Sequence, residues 1–177
     1  VRTCALPISC GSIAIGFLKW EGTCGGVYQL GIADTQMAIS EGGNMVQKKI
    51  EANLAMVEAH FGSEAGGRVD EAVGLYTDDI IWEAPSRNIV LHGKQEVADN
   101  YREMFSGFKD VEFRTLDRFA TEDRVVDDSV ISLEITKAGF MPFPVGTKVQ
   151  MRLTHIFEIR DGKISKEIGI EGPPKAV

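Results

Sequence analysis

His155 is the residue whose setting most invites proton chemistry. It stands in the run Val145–Arg160, where Val149, Met151, Leu153, Phe157 and Ile159 alternate with Lys148, Gln150, Arg152, Thr154 and Glu158. Such alternation predicts a strand with one dry face and one largely wet face. His155 has the parity of the dry face, between Leu153 and Phe157. Burial there disfavours the imidazolium and keeps the ring neutral near pH 7. A neutral imidazole can polarise a carbonyl or enolate oxygen, or accept a proton. The alternative is a core histidine bonded to a neighbour.

Asp127 shares strand parity with Val125, Ile131 and Leu133, which puts an acid on a dry face. A buried acid needs a partner or a role. Asp127 is therefore either a general base or an orienter for His155, unless a bulge near Asp127-Asp128 turns both into water. His60 lies three residues after Val57, at the edge of a helical apolar stripe. It is either a hydrogen-bond donor to a ligand or a helix-flank histidine. Glu167 sits across a hairpin from the strand of His155, facing a pocket or pairing with a surface lysine. Trp82, Tyr101, Phe140 and Phe143 are candidate walls for an apolar ligand, against the alternative of plain core. Phe140–Pro144 forms an apolar loop, either a pocket rim or a dimer contact. His60, His155 and Asp127 show no short ligand spacing, so no metal is expected. There is no Gly-rich phosphate loop, so no organic cofactor is expected either.

The elements that must position these residues are legible from residue 41 onward. Asn44 with Gln47 reads as a capping box for a helix over 45–61, with Ile50, Leu54, Val57 and Phe61 as its stripe. Gly62–Gly67 reads as a break. A short helix follows over 69–77, with Val69, Ala72, Val73 and Tyr76 inward. Ile80–Ala84 is a β-rich run ended by Pro85. Gly93 opens a third helix to about Phe105, with Val97 and Tyr101 on its inner face. Strands follow over 111–120, 124–136 and 145–160. Asp161-Gly162 is a two-residue hairpin turn, and 164–171 pairs back until Pro173-Pro174 ends the fold. Helices followed by an antiparallel meander imply an α+β domain, with the helices covering one side of a curved sheet around a cone-shaped apolar pocket.

The chain has 177 residues, enough to bury a core without disulfides. Its formal net charge of -7 disfavours nucleic acid and anionic membrane surfaces as partners. No run reaches the roughly 18 apolar residues of a membrane span. The nearest, Thr3–Leu18, is broken by Pro7, Gly11 and Gly16, and no small-x-small cleavage site follows it. A cytoplasmic location is expected. Residues 1–40 form a low-charge extension, distinct from a domain over 41–177. They carry four charged residues (Arg2, Lys19, Glu21 and Asp34) and all three cysteines, Cys4, Cys10 and Cys24. The main domain therefore uses neither disulfide nor Cys-ligated metal. Val1–Ile8 is similar to a translated sequencing-adapter oligonucleotide, so the natural start is expected near Met37 or Met45.

Four pieces in order carry a family resemblance. Val69–Asp79 is similar to the helix motif of SnoaL-like domains in the nuclear transport factor 2-like superfamily. Trp82-Glu83-Ala84-Pro85 is similar to "WEDP", His92–Val97 to "RGREAI", and Phe157–Ile164 to "FRVRDGKI". The resemblance covers about residues 45–172. It implies a cone-shaped, cystatin-like α+β barrel with a curved antiparallel sheet wrapped round N-terminal helices, and a homodimer through the outer sheet face, where Ile156 sits. The family includes isomerases, polyketide cyclases, epoxide hydrolases, dehydratases and binding modules, and fold alone does not choose among them. On alignment, His155 falls where ketosteroid isomerases place an oxyanion-stabilising acid, and His60 replaces a pocket tyrosine. Their catalytic aspartate precedes the proline, where this chain has Ala84. Glu83 lies one residue earlier, so alternation points it to the opposite face, as a surface carboxylate. The expected function is binding, and acid/base conversion, of a small apolar oxygenated metabolite such as a polyketide- or steroid-like ketone. His155 would polarise the oxygen and Asp127 would move the proton. The rival is a non-catalytic ligand-binding or protein-interaction module.

Overall fold

The computed structural model describes residues 32–177, with side chains from residue 43. The cysteines and the adapter-like opening lie outside the described residues. The first helix, α1, spans Ile32–Ala65. Asn44 is therefore inside the helix rather than its cap, and Gln47 bonds Glu51 one turn on. The helix also continues through Gly62. A mid-helix glycine costs about 1 kcal/mol, and burial of the flanking His60, Phe61, Ser63 and Glu64 outweighs that cost.

Helix α2 is Val69–Gly74, shorter than the expected 69–77. Tyr76 instead opens strand β1, Tyr76–Ala84. A single 3-10 turn, Pro85–Arg87, leads to β2, Ile89–His92. Helix α3, Gly93–Ser106, buries Val97, Ala98 and Tyr101. Strands β3 (Phe108–Ala120), β4 (Arg124–Ile135), β5 (Lys148–Arg160) and β6 (Lys163–Glu171) follow. A short β7, Lys175–Ala176, lies beyond Pro173-Pro174 and pairs with β5.

The sheet order is β2-β1-β6-β5-β4-β3. All pairs are antiparallel except β1 with β6, which run parallel. That pair arises because the helical segment and the whole meander separate the two strands in sequence. The Asp161-Gly162 turn forms as expected, with φ of 53° and 72° matching a two-residue hairpin. The α+β cone is thus the observed architecture. Its core joins Val57, Phe61, Tyr76, Ile80, Trp82, Tyr101, Val125 and Phe157. Phe143 packs against a second cluster of Ile131, Leu133, Ile135, Val149 and Leu153.

Pairing of β4 with β5 is continuous from Arg124 to Glu134, so no bulge moves Asp127. The irregularities lie in β3, one between Lys109 and Glu112 and one, nearer Asp127, between Thr115 and Asp117. The extra residue, Leu116, reverses strand parity, so Arg118 faces inward opposite Asp127. Asp127 is 0% exposed and accepts from Arg118 Nε at 2.7 Å and from the Ser129 hydroxyl. Arg118 also bonds Glu58 and lies 5.2 Å over the Phe61 ring, which ties the sheet edge to α1. Removing one partner of such a pair strands the other charge. Asp127→Ala is expected to cost about 3 kcal/mol in urea unfolding, and pairing it with Arg118→Met is expected to recover part of that loss.

Candidate functional site

Four elements send polar side chains to one buried point. Register on the parallel pair sets Trp82 beside Glu167, and the antiparallel pair sets Phe157 on its other side. Glu167 is 1% exposed. Its Oε2 accepts from the Tyr76 hydroxyl at 2.6 Å. Its Oε1 accepts from the Tyr101 hydroxyl and from Trp82 Nε1, each at 3.2 Å. The two tyrosine hydroxyls are themselves 2.7 Å apart.

Helix α1 supplies the counter-charge. His60 is 0% exposed, and its Nε2 lies 3.2 Å from Glu167 Oε2 and 3.3 Å from Glu64 Oε1. His60 and Glu64 are one helical turn apart, at i and i+4, so both face the same side. Burial alone would depress the His60 imidazolium, but the Glu64 and Glu167 charges outweigh it and raise His60 to about 10. Burial likewise pushes Glu167 up, but the His60 charge and hydrogen bond, His155 and the Tyr76 hydroxyl hold it down at about 2. Burial and the Glu167 charge push Tyr76 and Tyr101 well above the ordinary phenol range.

His155 comes from the dry face of β5, as its parity predicts. Its ring stacks on Phe157 and tilts against Phe61. Its Nε2 is 3.9 Å from Glu167 Oε1, and its Nδ1 has no hydrogen-bond partner. His155 is directly opposite Asp127 in register, yet the Asp127 carboxylate is engaged by Arg118 and Ser129. Strand pairing thus makes the two neighbours without bonding them, and Glu167 is the carboxylate nearest His155.

Part of this network borders a cavity of about 60 Å³, while His60 and Tyr76 lie off its wall. Since one water needs roughly 10–15 Å³ on the same measure, the chamber suits a small headgroup. Glu64, Trp82, Tyr101, His155 and Glu167 form its polar end, and Met104, Phe105, Phe113, Ile131, Leu133 and Leu153 its apolar walls. A wider outer groove adjoins it and shares Arg87, Met104, Phe108, Met151 and Glu171. Arg87 pairs with Glu171 at 2.9 Å at this junction and lies over Trp82. Phe140 lines the outer groove, not the chamber, because it packs flat where Gly107 has no side chain. Phe143 lines neither, being held in the second core cluster. Asp127 is not on the chamber wall. Glu83 pairs with Lys166 at 2.8 Å on the far face, as alternation predicts.

Sequence reasoning missed Glu64, and it placed Tyr76 inward on a helix without its bond to Glu167. The i, i+4 spacing from His60 was the signal for Glu64, hidden because Gly62 reads as a helix end. His60, Glu64 and Glu167 also have ligand atoms within 4.8 Å of one another, a spacing able to hold a metal ion. That set differs from the His60, His155 and Asp127 combination weighed on sequence.

The raised His60 stabilises the fold fully below about 6.5, and that contribution is lost as pH rises toward about 10. The depressed Glu167 stabilises it above about 4.5, and that contribution is lost as pH falls toward about 2. Unfolding free energy is therefore expected to peak between these ranges and to decline from pH 6.5 to 10. Chemical denaturation across that range checks this, and His60→Gln is expected to flatten the alkaline decline.

The SnoaL-like domain family model matches residues 57–167. No curated protein matches the chain in sequence. Among solved structures, the chain is similar to a candidate polyketide cyclase of Xanthomonas campestris pv. campestris, with TM-score 0.63 and 17% identity over 69% of this chain and 91% of that one. It is similar to an LEH-like epoxide hydrolase of M. tuberculosis, with TM-score 0.56 and 20% identity over 72% and 85%. A candidate ketosteroid isomerase of Kribbella flavida matches with TM-score 0.56 and 16% identity over 73% and 82%. At these identities the structural likeness speaks to the fold. No helix among the described residues is long and apolar enough to cross a membrane. With the family match spanning most of the cone, this chain belongs to the SnoaL-like domain family.

Proposed function

We propose that the chamber binds the oxygenated end of a small, largely apolar molecule and that His155 moves a proton on it. The observation that carries this is the position of His155 on the chamber wall, 3.9 Å from Glu167, with its Nδ1 unpartnered. His155 takes a proton from the carbon beside a ketone and returns it to another atom of the same molecule. Glu167 stabilises the imidazolium formed meanwhile, and its own donors hold it in place. Glu167 thereby fills the orienting role weighed for Asp127 on sequence, and the proton transfer expected of Asp127 passes to His155. Isomerisation, cyclisation or dehydration of a polyketide- or steroid-like ketone all need this step. Two copies of the chain pair through the outer sheet face around Ile156.

One observation favours a non-catalytic reading on the same scaffold. Ala84 is fully buried where the related isomerases carry their base. A thermal-shift screen against polycyclic ketones, lactones and epoxides, with His155→Ala alongside, tests both readings. A ligand that stabilises the wild type is expected also to exchange its α-protons with D2O in the presence of the protein. His155→Ala is expected to slow that exchange at least about 100-fold. Stabilisation of the wild type with no catalysed exchange would establish the binding-module reading instead.

A further inference from the structure

The chamber floor carries more buried negative than positive charge. Glu64 and Glu167 are 4% and 1% exposed, and both line the chamber. They share one imidazole, His60, and the second, His155, stands 3.9 Å from Glu167 as the proton acceptor of the proposed function, so one positive charge faces two carboxylates. Glu167 has further donors in Tyr76, Tyr101 and Trp82, whereas His60 is the charged partner of Glu64. Among the described residues lining the chamber, Arg87 is the one arginine or lysine. It sits at the mouth, paired with Glu171. An uncompensated carboxylate in a low-dielectric site is costly, and a cation beside it recovers much of that cost.

A second feature points the same way. The buried His155 faces the chamber with Nδ1 lacking any partner. A ring nitrogen without a proton is an acceptor and brings no positive charge to the chamber. The chamber is also lined by Trp82, Tyr101, Phe105 and Phe113. Aromatic walls attract organic cations through their quadrupoles, by about 0.5–2 kcal/mol per contact. A bare anionic ligand would meet two carboxylates and no free cation.

We infer that the chamber takes the protonated amine of its ligand, so that the substrate class is an apolar, oxygenated molecule bearing a cationic amino group. The amine sits against Glu64, the aromatic rings enclose its alkyl substituents, and the apolar body runs out past Met104 and Phe108 into the outer groove. This rests on the reading of the chamber as the substrate site and adds the charge of the substrate.

Three probes of one shape separate the charge from the shape: N,N-dimethylaminoethanol, which is protonated at pH 7, 3-methylbutan-1-ol and 3-methylbutanoate. Their binding to the full chain is read by NMR shift perturbation of the Trp82 indole N–H. The amine is expected to bind at least tenfold tighter than the alcohol, and the carboxylate not measurably. Glu64→Gln, checked for an unchanged melting transition, is expected to remove the amine's advantage over the alcohol. The comparison of the three probes on the wild type stands even if that variant does not fold. An alcohol that binds as tightly as the amine, or a tighter carboxylate, overturns the inference and leaves the chamber as a substrate site. Failure of all three to bind overturns both. Stoichiometric zinc binding that excludes the amine also overturns it, and assigns the His60, Glu64 and Glu167 cluster to a metal instead.

Discussion

A carboxylate removed from water stays charged only if donors replace the water, and Glu167 gathers its donors from three separate elements. Tyr76 and Trp82 come from β1, Tyr101 from α3 and His60 from α1. Each is held by packing that the others complete. The Tyr101 ring stands edge-on to Trp82, and His60 packs against Tyr76 and Phe157. The polar centre therefore fixes how the helices sit on the sheet as well as what the cone can bind. A network of this kind is stable when every member is satisfied and costly when one is removed. Within it, the buried polar atoms without a partner are Nδ1 of His60 and Nδ1 of His155, and of these two residues His155 lines the chamber.

A second charged cluster fastens the other side of the cone. Asp127, Ser129, Arg118 and Glu58 join β4, β3 and α1, away from the chamber. The two clusters explain how this chain can bury several ionisable groups in a small domain. One is closed by a guanidinium and is structural. The other is left short of positive charge where it meets a cavity. That asymmetry, rather than the presence of buried acids as such, separates the site from the scaffold.

Much of this was legible in the sequence where local pattern and tertiary context agree. Alternation along β4 and β5 placed Asp127 and His155 on the dry face, and the Asp161-Gly162 turn set the register of β6 as far as Ile164, after which an irregularity shifts it by one residue and brings Glu167 opposite Phe157. Val97 and Tyr101 at helical spacing placed α3. The misses share a cause: each was decided by partners distant in sequence. Gly62 reads as a stop, but the burial of His60, Phe61 and Glu64 carries α1 through it. Tyr76 completes a helical stripe in sequence, yet its hydroxyl is claimed by Glu167, 91 residues away. The bulge at Leu116 reverses parity, and that reversal delivers Arg118 to Asp127. Without it, the pairing of Asp127 with His155 expected from parity would have had no competitor.

The account turns on an imidazolium at His60 held between two buried carboxylates. Nitrogen-15 NMR of the histidine ring at pH 8 tests this directly. A doubly protonated His60 ring, losing its proton only near pH 10, is the predicted result. A singly protonated, neutral ring at pH 8 would contradict it, because Glu167 would then lack the charge that keeps it ionised.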